Sequence, residues 1–217
     1  MKLFKWVLKK TLLNWKRPIY SPLLYEFSKR YLDLWYGDMN FDRNTNGEFR
    51  VLKKIIPQTK VVFDIGANVG DYSQEILKIN PGVKIHAFEP DPDSYAQLKA
   101  LPVIANNIAL GEKEDTMTLY RMERSAHNSL YHVGEQRGEV QVKVSTLDAY
   151  CEQNKIGHID LLKIDVEGHE YFVLKGAKGI LKRQVVDYIQ FEFSGATIQS
   201  RTFLKDFIDL LDECGYD

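Results

Sequence analysis

The sequence predicts a doubly wound α/β fold built on a mainly parallel β-sheet. From about residue 48 onward, short apolar runs alternate with segments of helical spacing, which is the pattern of successive βαβ units. Most of these runs are apolar almost throughout, as expected for strands that are covered on both faces. The 217 residues suffice for one substantial core, and the balance of 44% hydrophobic and 27% charged residues is typical of a globular domain. A net charge of −1 favours no nucleic-acid partner.

The first part of this region is predicted to form three strands and two helices. Gly66 stops the first apolar run, and Asn80-Pro81-Gly82 ends the helix that follows it. Pro92 suits the first turn of the second helix, because its fixed φ angle is already helical. In chain order, the expected elements are strand 61–66, helix 70–79, strand 83–90, helix 91–101 and strand 102–110.

The second part begins with two segments that alternate apolar and polar residues at period two. This pattern predicts a β-hairpin with a long polar loop that contains His127, Asn128 and Ser129. Ser145 or Thr146 is expected to cap the next helix, with Asp148 placed for a capping box. The predicted elements are strands 116–122 and 139–145, a helix ending at Gln153, strand 159–165, helix 170–181, strand 185–193 and helix 202–214.

Residues 1–45 are predicted to form an N-terminal extension that precedes a domain of residues 46–217. Residues 1–17 contain basic but no acidic side chains, and their apolar residues fall near one helical face. Such a helix can lie on an anionic membrane surface or pack on the main domain, and both interpretations remain open. Residues 18–45 are rich in aromatic side chains and suit a lid or a packing layer. Cys151 and Cys214 are expected to be free thiols, which predicts a cytoplasmic protein, with or without contact to the inner face of the membrane.

The carboxyl ends of the first three strands present a set of residues that is typical of nucleoside binding. A glycine loop, Asp64-Ile65-Gly66-Ala67-Asn68-Val69-Gly70, follows the first strand, but Asn68 replaces the second glycine of a dinucleotide motif. Glu89 ends the second strand and can accept hydrogen bonds from two ribose hydroxyls, whether of NAD or of S-adenosylmethionine. Asp64 suits a cationic ligand, and Asn107 and Ala109 are expected to flank the adenine. The combination favours the sulfonium nucleoside.

Several motifs between residues 46 and 193 resemble those of the FkbM-type S-adenosylmethionine-dependent methyltransferases. They read NGE (46–48), VFDIGANVGDYS (62–73), AFEPDP (87–92), NIALG (107–111), NSL (128–130), STLDAY (145–150), IDLLKIDVEGHEYFVLKGA (159–177) and FEF (191–193).

This resemblance implies a Rossmann-like class I methyltransferase sandwich and methyl transfer to a hydroxyl, often that of a sugar in a glycan, a glycolipid or a secondary metabolite. Such folds usually end in a sixth and a seventh strand, whereas this chain stops at Gly215-Tyr216-Asp217. A truncated form or a sheet that is short by this hairpin is therefore expected. The resemblance implies cofactor contacts at Asp64, Gly66, Asn68, Gly70 and Glu89, and an active-site rim at Asp165, Glu167 and Glu170.

A sugar hydroxyl needs a general base, and the candidates lie at the ends of the last two strands and in the long loop. They are Asp165, Glu167, His169, Glu192 and His127, with Asp165 favoured because it ends the fourth strand opposite the glycine loop. Lys163 is expected to pair with a carboxylate such as Glu192, and His169 to lie exposed in a first helical turn. No metal is expected, since Asp165 and Glu167 alone offer too few oxygen ligands.

Two other functional classes remain as alternatives. A nicotinamide-dependent oxidoreductase would also use Glu89, but Asn68 and the block KIDVEGHE disfavour it. A non-catalytic membrane-associated module would rest on the basic N-terminal segment. The expected partner of an enzyme is a small-molecule or glycan hydroxyl acceptor, and no feature of the sequence predicts an oligomeric state.

Overall fold

The computed structural model describes residues 22–36, 47–132 and 136–217 of the chain. The basic helix predicted for residues 1–17 lies outside these residues. The chain divides into two compact units, Met1–Leu52 and Lys53–Asp217. In the first unit, α1 (Pro22–Tyr36) is a helix of 15 residues, and α2 (Glu48–Ile55) begins near the unit boundary. Among the described helices, none combines the length and the apolar character that crossing a membrane requires.

The second unit alternates strands and helices in the predicted order, except at residues 102–110 and 170–181. After a 3₁₀ turn at Ile56–Gln58, its elements are β1 (Val61–Ile65), α3 (Asp71–Ile79), β2 (Lys84–Phe88), α4 (Pro92–Leu98), β3 (Ile104–Asn106), β4 (Ala109–Leu110), β5 (Asp115–Arg121), β6 (Gly138–Ser145), α5 (Leu147–Gln153), β7 (Ile159–Ile164), α6 (Glu170–Lys175), α7 (Lys178–Lys182), β8 (Val186–Phe191), α8 (Thr197–Ser200) and α9 (Leu204–Glu213).

Within the described residues, the central sheet has five strands in the order β3-β2-β1-β7-β8, and every neighbouring pair is parallel. The chain starts in the middle with β1, continues to one edge through β2 and β3, and returns to the other side of β1 as β7. This reversal creates a switch point between β1 and β7, where ligands bind in doubly wound sheets. The predicted fold class is confirmed.

A second, three-stranded sheet has the order β4-β6-β5. Its β5 and β6 form the predicted antiparallel pair, and β4 joins β6 in parallel. The single strand predicted for residues 102–110 is wrong, because the chain changes sheets at Asn107. The Asn107 side-chain amide donates to the carbonyls of Glu89 and Pro90, at 2.9 and 3.0 Å, and this anchors the crossing point. Asn106 and Asn107 interrupt the apolar run, but hydropathy alone cannot show that the chain joins a different sheet after them.

The core of the second unit lies on the central strands. Phe63 and Ile65 of β1 and Leu162 and Ile164 of β7 are fully buried, or nearly so, in one apolar cluster. The ring of Phe207 in α9 stacks on Phe191 at a centroid distance of 4.9 Å, which attaches the last helix to β8. Truncating a buried phenylalanine to alanine typically costs about 3–5 kcal/mol, so this contact is important for the β8 side of the sheet.

The helix predicted for residues 170–181 is instead two short helices, α6 and α7. A Cβ on Gly176 would lie 1.9 Å from the Gly111 carbonyl oxygen, so the chain passes too close there for any other residue. The Gly176 carbonyl accepts the N–H of Asp148 at 3.0 Å. Thr146 caps α5 as predicted, but Asp148 forms no capping box with it. The Asp148 carboxylate instead accepts the N–H groups of Gly179 and Ile180, at 2.7 and 2.8 Å, and so caps α7.

Candidate active site

The glycine loop leaves β1 in close contact with the end of β7. The N–H groups of Gly66 and Ala67 donate to the Phe88 carbonyl at 3.0 and 2.9 Å. Gly66 has a φ of 79°, and a Cβ there would meet the Asp165 carbonyl oxygen at 1.8 Å. Only glycine fits this position, because both the backbone angle and the space exclude a side chain. The loop therefore lies directly against the end of β7.

Asn68 turns the loop toward α3 with a φ of 49°, a left-handed conformation that asparagine tolerates better than most residues. Its N–H donates to Glu89 Oε2 at 2.8 Å. Gly70, with a φ of 91°, precedes α3, and its Cα faces the Leu101 side chain. The position where a dinucleotide motif has glycine thus holds a residue that ties the loop to the end of β2.

Glu89 is only 6% exposed at the carboxyl end of β2. Its two oxygens accept the N–H groups of Asn68 and Asp91, each at 2.8 Å. Burial raises the pKa of Glu89 to about 7, although these two hydrogen bonds oppose the shift. Each oxygen retains a lone pair, so the carboxylate can accept further hydrogen bonds from a ligand.

Asp64 and Lys163 form an internal ion pair beneath the loop. The Lys163 ammonium lies 3.2 Å from both Asp64 Oδ1 and Asp165 Oδ2, and Ser73 donates to Asp64 Oδ2 at 2.7 Å. These two carboxylates raise the pKa of Lys163 against the opposing effect of its burial. The expected ion pair of Lys163 is present, but its partners are Asp64 and Asp165 instead of Glu192, because β1 lies beside β7 and presents Asp64 to the lysine. Lys163 therefore neutralises the Asp64 charge inside the protein.

A cluster of three carboxylates follows β7 and β8. Oxygen atoms of Asp165, Glu167 and Glu192 all lie within 4.8 Å of one another. Burial, followed by repulsion from Glu192 and Asp165, raises the pKa of Glu167 to about 8. Burial and repulsion from Asp165 raise the pKa of Glu192 to about 7. Such a cluster can share protons near neutral pH or coordinate a divalent cation, and Glu192 is the third oxygen ligand that the sequence reasoning found lacking.

The turn between β7 and α6 is held by Glu170 and His169. Glu170 is buried, and its carboxylate accepts the N–H groups of Val166 and Gly168 at 2.9–3.1 Å. His169 is only 6% exposed, so the exposed position predicted for it is wrong. Its Nδ1 lies 2.9 Å from the Tyr131 hydroxyl, and burial lowers the pKa of His169 to about 4. The imidazole is therefore neutral at physiological pH and better suited to positioning than to charge.

These segments enclose a cleft of about 550 Å³, part of which is continuous with solvent. Seven of the predicted site residues line it: Gly66, Asn68, Glu89, Ala109, Asp165, Glu167 and His169. The predicted residues Asp64, Gly70, Asn107, Lys163, Glu170 and Glu192 lie outside the lining. His127 of the long loop also lies outside it, whereas its neighbours Ala126 and Asn128 contribute.

A family model described as the methyltransferase FkbM domain matches residues 64–217, which include the cleft and nearly the whole second unit. The chain belongs to the FkbM methyltransferase family. It is therefore a methyltransferase, and the family resemblance of its motifs is confirmed.

Named FkbM-type relatives are distant in sequence. The hexuronic acid methyltransferase AglP of Haloferax volcanii is 26% identical over 180 residues, covering 79% of this chain and 70% of AglP. The 2-O-methyltransferase NoeI of Sinorhizobium fredii is 25% identical over 173 residues, covering 70% of each chain. A crystal structure from Anabaena variabilis, named as a candidate methyltransferase of an antibiotic biosynthesis pathway, is 16% identical with a TM-score of 0.41. The match covers 76% of this chain and 60% of that one.

Residues that were not predicted from the sequence also support the cleft. Arg121, at the end of β5, binds Asp91 through Nε at 2.6 Å, and Asp91 in turn donates its N–H to Glu89. Ser129 Oγ donates to the Glu167 carbonyl at 2.7 Å. No spacing rule connects residues this far apart in sequence. A partial signal existed only for Ser129, which lies in the NSL motif.

Proposed function

We propose that this FkbM-family chain is an S-adenosylmethionine-dependent O-methyltransferase that acts on a sugar hydroxyl of a glycan, a glycolipid or a secondary metabolite. One observation carries the proposal: the glycine loop with Glu89 and the cluster of three carboxylates lie at the same edge of the sheet. The first suits a nucleoside, and the second suits an acceptor that must lose a proton. The names of AglP and NoeI, a hexuronic acid methyltransferase and a 2-O-methyltransferase, support the choice of a sugar hydroxyl.

The residues around the glycine loop fit S-adenosylmethionine. Asn68 Oδ1 is buried and has no hydrogen-bond partner within the described parts of the chain, so it can accept a donor from a ligand. Glu89 would hold the ribose hydroxyls, and the apolar side chains of Ile108 and Ala109 would contact the base. When bound, S-adenosylmethionine supplies a methyl group that is activated by a positively charged sulfur. The diphosphate of NAD would gain little here, because the loop lacks the second glycine.

At the other end of the cleft, the protein's own residues order the acceptor and receive its proton. We propose Glu167 as the general base, since a pKa of about 8 is well matched to proton uptake near neutral pH. Asp165, which the sequence favoured as the base, is 3.2 Å from the Lys163 ammonium and is better placed to orient the acceptor hydroxyl. The hydroxyl proton passes to a Glu167 carboxylate oxygen, and Glu192 can share it within the cluster.

The test combines binding with transfer. Calorimetry should show that the purified chain binds S-adenosylhomocysteine and does not bind NADH. Labelled methyl from S-adenosylmethionine should then reach hexuronic acid-containing glycans or glycolipids, with free hexuronates and non-carbohydrate alcohols as comparison acceptors. Absence of S-adenosylhomocysteine binding would overturn the cofactor assignment. Label that appears only in non-carbohydrate products would overturn the acceptor class. Membrane contact through residues 1–17 stays a separate prediction, to be tested by vesicle co-sedimentation with and without this segment.

A further inference from the structure

Asn128 lies in the loop between β5 and β6 and lines the same cleft as Asn68 and Glu89. Its Oδ1 accepts the N–H of Met122 at 2.9 Å. A backbone N–H can bond only to the oxygen end of a side-chain amide, so this contact fixes the orientation of the carboxamide. The other end, the Nδ2 amino group, is therefore the one that remains available.

The Asn128 Nδ2 group is buried and has no hydrogen-bond partner among residues 22–36, 47–132 and 136–217. A buried donor without a partner is unfavourable, because it has lost its hydration and gained nothing in return. In the same cleft, Asn68 Oδ1 is a buried acceptor in the same condition. The cleft thus offers one neutral donor and one neutral acceptor to a ligand that has a matching acceptor and donor.

The loop that carries Asn128 is fixed to both ends of the cleft. Ser129 pairs with Tyr120 through two backbone hydrogen bonds of 2.8 and 3.1 Å, and its hydroxyl bonds the Glu167 carbonyl. On the other side, Arg121 bonds Asp91, the residue whose N–H is held by Glu89. Asn128 is therefore positioned before any ligand arrives, as a recognition residue should be.

The chemistry of the surrounding wall indicates which part of a ligand Asn128 meets. Apolar side chains dominate the wall that the second sheet and its loop provide: Ala109, Leu110, Leu119, Ala126 and Leu130. A flat heteroaromatic base fits apolar walls with a few placed polar groups, whereas a charged carboxylate or ammonium group would need charged partners. An uncharged amide donor matches a ring nitrogen.

Resting on the proposed function, we propose that Asn128 recognises the adenine of the bound methyl donor. Its Nδ2–H donates to a ring nitrogen of the base, and Asn68 Oδ1 accepts a second hydrogen bond from the nucleoside. Asn128 then sets nucleoside affinity and takes no part in the proton transfer at Glu167.

The main test measures binding of S-adenosylhomocysteine by calorimetry to the full chain and to Asn128→Asp. Aspartate retains the oxygen that accepts from Met122 but replaces the donor by a second acceptor. The uncharged thioether of this probe limits the influence of the added charge. We expect about tenfold weaker binding, the loss typical of one hydrogen bond whose partner stays buried. Gln141→Glu, which adds the same charge to the exposed face of β6, should bind like the natural chain.

A second measurement keeps the proposal open to refutation if the aspartate variant is unstable. Binding of the 1-deaza, 3-deaza and 7-deaza analogues of S-adenosylhomocysteine is compared between the natural chain and Asn128→Ala. To the natural chain, one analogue should bind about tenfold less tightly than S-adenosylhomocysteine itself. To Asn128→Ala, the same analogue should bind no less tightly than S-adenosylhomocysteine.

Two results would overturn the proposal while the proposed function stands. One is unchanged parent binding by both Asn128 variants, and the other is an equal loss with every analogue in both proteins. If the natural chain itself does not bind S-adenosylhomocysteine, the proposed function and this inference fall together.

Discussion

The two ends of the cleft surround a buried carboxylate with different partners. Glu89 accepts two backbone N–H groups, so the surrounding main chain provides donors for the ionised form. Glu167 faces Glu192 and Asp165, and its repulsion from them adds to the effect of burial. The pKa of Glu89 rises to about 7, and that of Glu167 to about 8. The backbone donors place the Glu89 oxygens for ligand hydroxyls, whereas the neighbouring carboxylates of Glu167 favour its uptake of a proton.

Lys163 connects the two ends, and its removal should have the largest effect. Lys163→Met leaves the buried Asp64 without its cation, so the free energy of unfolding should fall by about 3–5 kcal/mol. Urea denaturation at pH 7 measures this. The control is Lys78→Met, which removes an exposed pair with Glu75 and should cost at most about 1 kcal/mol. Equal losses in the two variants would show that burial does not distinguish these pairs.

Glu167→Gln should separate proton transfer from binding. We expect kcat to fall about 10²–10³-fold, since glutamine cannot accept the proton, while S-adenosylhomocysteine affinity changes less than twofold. In the natural chain, kcat should rise with pH up to about 8, because the base must be ionised to act. Steady-state kinetics between pH 6 and 9 test both points. A pH profile that survives in the variant would assign the base to another residue, with Glu192→Gln as the next variant to measure.

Glu89→Ala should have the opposite signature. It removes the ribose acceptor and leaves two backbone N–H groups without their partner, so S-adenosylhomocysteine should bind about 30- to 100-fold less tightly. Calorimetry measures the affinity, and a thermal melt checks the fold. If affinity is retained and kcat alone falls, the assignment of the two ends of the cleft would have to be exchanged.

The smallest expected effect is on stability against pH. The folded-state pKa of Glu167 lies above its unfolded value of 4.5, so its contribution to stability is present below pH 4.5 and is lost as pH rises through about 8. The Tm should therefore fall between pH 5 and pH 8, and Glu167→Gln should reduce this fall. Glu213 offers a control, because its pKa is shifted in the opposite direction: Lys178 and Lys182 lower it to about 2, below the pH range of the test. Glu213→Gln should leave the slope between pH 5 and pH 8 unchanged.

Local patterns predicted the elements well where a single strand or helix buries one continuous face. The strand before Gly66, the helix started by Asp91 and Pro92, and the alternating strands β5 and β6 each follow from the pattern of their own short stretch of sequence. The same patterns failed at residues 102–110 and 170–181. There a long-range contact decides the outcome, through the Asn107 amide in one case and the close approach of Gly176 to Gly111 in the other.

The site divides in the same way. Residues at strand ends could be placed from sequence, because the carboxyl ends of parallel strands meet at one edge of the sheet. Their partners could not be placed, since Lys163 meets Asp64 only through the neighbouring position of β1 and β7. His169 becomes buried through tertiary contacts, which include those of Tyr131 and Phe172 with its ring.

Most of the order of strands and helices, the glycine loop, the strand ends that carry acids, and the family could be predicted from the sequence. These depend on periodicity, turn chemistry and motif spacing, all of which are local. The tertiary structure alone decided which carboxylates face one another, which face backbone donors, and where Asn68 and Asn128 are left with a buried polar atom. Charge and hydrogen bonding act over a few ångströms in space, and the distance along the chain does not determine which groups come that close.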